Sequence, residues 1–99
     1  MTLRPTEGAR FLLERMDHTV RGATYRATIY TPEAEYAATA SLADDDSVEV
    51  APSGAPRELD DALATQIRLL ARGAAKRTEE GLPTWPARLL RWRGPGRGS

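Results

Sequence analysis

The clearest hydrophobic pattern in the chain has a period of two and runs, with two interruptions, from residue 23 to residue 51. In Ala23–Tyr30, Tyr25, Ala27 and Ile29 share one face of an extended segment, while Thr24, Arg26, Thr28 and Tyr30 share the other. Thr31-Pro32-Glu33-Ala34 follows as a turn, because proline presets φ at the first central position. Alternation resumes in Glu35–Leu42, with Tyr36, Ala38, Ala40 and Leu42 on one side, and again in Ser47–Ala51, with Val48 and Val50. Pairing Thr31 with Ala34 sets Ile29 against Tyr36, Ala27 against Ala38 and Tyr25 against Ala40. An Asp44-Asp45-Asp46 loop then sets Leu42 against Val48 and Ala40 against Val50. All the apolar residues land on one side, and a slip of one residue would turn a whole strand to the wrong face. The pattern predicts a three-stranded antiparallel meander with one buried side.

Beyond Pro52-Ser53-Gly54-Ala55 the period changes to that of a helix. Leu59, Leu63, Ile67, Leu70 and Ala74 form one stripe and predict a long amphipathic helix over 56–80. Pro56 suits its first position, Glu58, Asp60 and Asp61 its early turns, and Arg72, Lys76 and Arg77 its end. Gly81 and Pro83 stop it. A helix of that length measures about 37 Å, against about 27 Å for an eight-residue strand. The excess begins near Gly73-Ala74-Ala75, where small side chains admit another backbone: the chain's own tail or a second subunit.

The flanks are less regular. Thr6–Asp17 reads as a short helix, with Thr6 at the N-cap, Glu7 in the first turn and Leu12 and Met16 one turn apart. Phe11-Leu12-Leu13 also suits an extended segment. In the tail, Leu82–Trp92, a short helix after Pro86 would put Trp85, Leu89 and Trp92 on one face, whereas a strand would pair Leu90 with Trp92. The short helix is preferred, with the Trp/Arg tail (82–93) either docked or held out as an interaction segment. Gly94–Ser99 is expected to be disordered. The whole is a single α+β domain over 1–93, an α-β-β-β-α two-layer sandwich with both helices on the Tyr25/Ile29/Tyr36/Leu42 face. That element order resembles double-stranded RNA-binding domains. Their second helix begins with a lysine-rich phosphate clamp, but this one begins Arg57-Glu58-Leu59-Asp60-Asp61, which would repel a phosphate backbone. The likeness is therefore one of topology, and the family's function is not carried over.

Composition narrows the chemistry. A chain of 99 residues without cysteine has no disulfide, no thiolate nucleophile and no cysteine-ligated zinc. His18 is the single histidine. Met1–Pro5 lacks the apolar stretch of a secretory signal, and no run is long enough to span a bilayer, so a cytoplasmic location is expected. Net charge is zero but polarised: +2 over residues 1–31, −8 over 32–65 and +6 over 66–99. Thirteen arginines beside the single Lys76, with abundant alanine, also fit the codon bias of a GC-rich bacterial genome, which reduces the weight of arginine richness.

Asp44-Asp45-Asp46 lacks the alternate spacing and turn glycine of a calcium loop and reads as an acidic hairpin loop. His18, beside Asp17 and near Glu14, has no nucleophile or substrate-orienting group with it. No catalytic site, metal site or cofactor is expected. Arg68, Arg72 and Lys76 recur one turn apart along the helix, and Arg88, Arg91 and Arg93 interleave with Trp85 and Trp92 in the tail. These eight residues are the candidate partner-binding set, since arginine with tryptophan marks protein hot spots and also grips phosphates while stacking on bases. The expectation is a non-enzymatic protein-interaction or regulatory module, pairing with another protein or as a homodimer. Nucleic-acid binding is the alternative, and no membrane partner is expected.

Overall fold

A computed structural model of the chain describes residues 7–19, 21–51 and 53–93. Among these residues five antiparallel strands form one sheet in the order β4-β3-β2-β1-β5: β1 (Ala9–His18), β2 (Gly22–Tyr30), β3 (Glu35–Ala43), β4 (Val48–Val50) and β5 (Arg88–Arg93). Helices α1 (Arg57–Arg72) and α2 (Ala74–Glu79) stand between β4 and β5 in the chain. The α+β class and the antiparallel sheet are as expected.

The β2–β3–β4 register is the one that the alternation predicts. Ile29 faces Tyr36, Ala27 faces Ala38, Tyr25 faces Ala40, Ala40 faces Val50 and Leu42 faces Val48. Thr31 N–H donates to the Ala34 carbonyl at 2.9 Å, closing the Pro32 turn. Asp46 turns the next hairpin at φ 72°, with the Asp45 carboxylate accepting the Ser47 amide at 3.0 Å.

The expected N-terminal helix is a strand instead. Phe11 and Leu13 face the helix layer, and Leu12, between them, is buried on the opposite side of the sheet. β1 lies between β2 and β5 in the sheet, and its three consecutive apolar side chains divide between the two faces, Leu12 being covered where no described helix lies. Gly8, at φ 74°, turns the chain just before it. The N-cap assigned to Thr6 falls outside the described residues. With β1 a strand, the α-β-β-β-α order and its likeness to double-stranded RNA-binding domains no longer hold.

The tail is also a strand, not a short helix. Residues 88–93 pair with β1, so Leu90 and Trp92 share one face with Leu12 and Arg10, while Leu89 joins Leu13 on the other. The expectation for residues 94–99 lies outside the described residues.

The long helix keeps its stripe: Leu63, Ile67, Leu70 and Ala74 are buried and Leu59 packs beside them. It breaks at Gly73, however, so no straight 25-residue rod extends past the sheet. α2 ends as the glycine signal predicts. Gly81 lies at φ 78°, its amide donates to Thr78 and that of Leu82 to Arg77, a Schellman closure. The core lies between the helices and the Phe11/Tyr25/Ile29/Leu42 face, and Trp85 completes it. No helix among the described residues lies on the other sheet face.

Candidate functional site

The segment between α2 and β5 has no ladder of its own, so its carbonyls need other donors. Three consecutive carbonyls obtain them from distant side chains. Arg77 Nε donates to Thr84 at 2.7 Å, Arg15 Nη1 to Trp85 at 2.7 Å, and the Tyr25 hydroxyl to Pro86 at 2.5 Å. Arg77 Nη2 also takes the Leu70 carbonyl at 2.6 Å, and its guanidinium lies 6.0 Å from the Trp85 ring centroid. A methyl group at Gly73 would come within 2.6 Å of Arg77 Nη1, so the small residue at the helix break makes room for this guanidinium. The hydroxyls of Thr78 and Thr84 share a further hydrogen bond. What packs at the end of α1 is thus the chain's own tail.

Burial pushes the Tyr25 phenol above its ordinary range, against the charges of Arg15 and Arg77, which pull it down. Burial lowers the Arg77 guanidinium, with Tyr25 opposing. Trp85 is 2% exposed, and its indole N–H has no acceptor among the described residues. These groups are arranged as a clasp that closes the tail over the core.

Past the clasp the tail behaves differently. Trp92 is 57% exposed and Leu90 41%, both on the helix-free face of the sheet. Trp92 stands opposite Arg10, which stands opposite Tyr30, so the three form one cross-strand row. Arg88 is opposite Glu14, and Glu14 is opposite Arg26. Met16 sits at the β1 bulge between Arg15 and Asp17 and adds another exposed apolar side chain.

The candidate residues therefore divide among three settings. Trp85 is in the core. Arg68, Arg72 and Lys76 are exposed on the helices. Arg88 and Trp92 lie on the opposite side of the sheet, with Arg91 on the helix side of β5. Arg93 ends β5 opposite Ala9. The helix ladder and Trp92 thus lie on opposite sides of the domain. Two residues outside the candidate set belong with β5: Leu90, whose signal was the strand reading of the tail, and Leu69, an exposed leucine off the buried stripe of α1. A groove of about 260 Å³ between α1 and β5 is lined by Gln66, Leu69, Leu89, Arg77 and Arg91, among others.

Asp44–Asp46 is a hairpin turn, and hydrogen bonding from Ser47 holds the Asp45 carboxyl below its usual range. Among the described residues no three histidine or carboxylate groups converge as metal ligands. His18 is exposed at the end of β1, where its backbone amide donates to Asp17. No described helix is long and apolar enough to cross a membrane.

What the described residues define is a class: an antiparallel sheet with helices on one face and no described helix on the other. Beyond that, the chain matches no protein family, curated protein or solved structure.

Proposed function

We propose that this chain is a small non-enzymatic protein-interaction module that works through the β1–β5 side of its open sheet face. The observation that carries the reading is the exposure of Trp92 and Leu90 on an ordered strand, beside Arg10 and Arg88. Tryptophan and arginine are the residues most enriched at binding hot spots. A large aromatic that stands more than half in water on a regular strand contributes little to folding for its size.

Nucleic acid is the second reading, and Arg68, Arg72 and Lys76 support it as an exposed basic ladder. Two features weigh against it. The ladder lies across the domain from Trp92, so bases stacked on one could not lie with phosphates on the other. The open face also mixes Arg10, Arg26 and Arg88 with Glu14, Glu35 and Glu49, which leaves it without net positive charge.

A photo-cross-linking residue at position 92, expressed in the native cell, tests the reading. Discrete protein adducts are expected from position 92 and none from the exposed Ser41 on the far side of the same face. Adducts to RNA or DNA, or none at all, would remove it. Salt-dependent binding to random RNA, lost on reversing Arg68, Arg72 and Lys76 together, would establish the alternative.

A further inference from the structure

We propose that β5 receives an extended acidic segment of a partner protein as a sixth strand of the sheet. This rests on the interaction reading above and names the partner's chemistry.

The hydrogen-bond phase of the sheet supplies the first observation. Arg15 N–H donates to the Ala87 carbonyl at 2.9 Å, and the β1–β5 register continues without a shift through Leu13↔Leu89 and Phe11↔Arg91. Bonding alternates along an antiparallel strand, so Leu89 and Arg91 direct their backbone groups at β1. Arg88, Leu90 and Trp92 then direct theirs outward, where no other described strand lies. Three residues whose outward backbone groups meet no described strand, the Leu90 carbonyl taking only a side-chain bond from Arg91, make an edge ready for pairing.

The second observation is how this edge is protected. β5 contains no proline and no bulge, and it is longer than the three-residue β4 at the other edge. Its protection is positive charge. Neither Arg88 nor Arg91 is ion-paired to a described carboxylate; Arg88 lies across the ladder from Glu14, and Arg91 Nη1 donates to the Leu90 carbonyl at 3.1 Å. Such an edge repels a second β5 and attracts an acidic strand.

Apolar surface on both sides of β5 supplies the third. An added strand would send alternate side chains onto Leu90 and Trp92 on the open face and into the groove beside Leu69 and Leu89 on the helix side. Leu69, 53% exposed at the mouth of that groove, would be covered. The fitting segment is extended, lacks proline, and carries acidic and apolar residues on both of its faces, since Arg88 and Arg91 lie on opposite sides of β5.

The test is residue-resolved amide exchange on the full chain, titrated with a capped synthetic peptide of Glu-Glu-Val-Val repeats, which carries both residue types on each face. At saturation, exchange at Arg88, Leu90 and Trp92 should slow by about tenfold or more, while Leu89 and Arg91, already bonded to β1, change little. The same peptide with Lys for Glu should give no protection, and Arg91→Glu should reverse the preference between the two. Unchanged exchange at the three amides, or equal protection by both peptides, would overturn the proposal. If the three amides become protected on raising protein concentration alone, a second copy of this chain is the occupant and the partner-segment proposal falls. Protein adducts from position 92 alongside a failed peptide would sink strand addition and leave the interaction reading standing. Failure of both experiments removes both.

Discussion

Trp85 and Trp92 stand in the same arginine-rich tail, seven residues apart, yet one is sealed in the core and the other is mostly in water. The segment around Trp85 is irregular, and donors from β1, β2 and α2 hold its carbonyls one after another. Strand β5 needs no such help, because β1 supplies its ladder. Once the backbone is a strand, alternation decides the rest: Leu89 goes to the helix side, and Leu90 and Trp92 go to the open face. Similar residue types in one short stretch thus take on structural and surface roles according to how their backbone is satisfied.

The largest expected contrast is in stability. Trp85→Ala should cost about 3–5 kcal/mol, since a buried indole leaves a cavity among Ala74, Leu70 and the sheet. Trp92→Ala should cost less than about 1 kcal/mol. Chemical denaturation checks both, and equal losses would dissolve the distinction between the two halves of the tail. Trp85→Phe sharpens the first result: it keeps most of the ring while removing an indole N–H that has no described acceptor, and should cost clearly less than Trp85→Ala.

The clasp comes next. Arg77→Met would leave the Thr84 and Leu70 carbonyls without their donor and should cost about 2–3 kcal/mol. Arg88→Met, on the exposed strand, should stay within about 0.5 kcal/mol. A comparable loss at Arg88 would mean that β5 is held by more than its ladder.

A smaller effect follows pH. Because burial raises the Tyr25 phenol, the folded chain keeps that proton where the unfolded chain begins to release it. The contribution is whole below the ordinary phenol value of about 10 and declines as pH rises through the higher folded value. Tyr25→Phe should lower neutral-pH stability by about 1 kcal/mol, through loss of the bond to Pro86, and should flatten the alkaline fall. A steeper alkaline fall in the variant would contradict the assignment. The mildest measurement is acrylamide quenching of single-tryptophan variants, where Trp92 should be readily quenched and Trp85 shielded.

The central hairpins were legible because their alternation is strict and their turns carry specific residues, Thr31-Pro32 and Asp44–Asp46. The amphipathic stripe of α1 and the glycine stop at Gly81 were legible for the same reason. β1 was not. Phe11-Leu12-Leu13 has no period, and Leu12 with Met16 imitates a helical turn; the strand is settled by its pairing with β2 and with the distant β5. β5 presented the same ambiguity in Leu89-Leu90. The helix break at Gly73 depends on Arg77 folding back to carbonyls at Leu70 and Thr84, a geometry with no periodic signal. The candidate surface was half visible: Arg88, Arg91 and Trp92 could be picked out by residue type, but Trp85 could not be set apart from Trp92 by composition.

By itself, then, the sequence determined what repeats locally: the register of β2, β3 and β4, the buried stripe of the helix, its glycine terminus, and the absence of cysteine chemistry. Tertiary structure alone decided that the two flanks become strands, that they pair with each other, and that the tail is divided between core and surface. The reason is range. A strand's partner and a loop carbonyl's donor lie tens of residues away in the chain, as with Arg15 and Trp85, where no local period can record them.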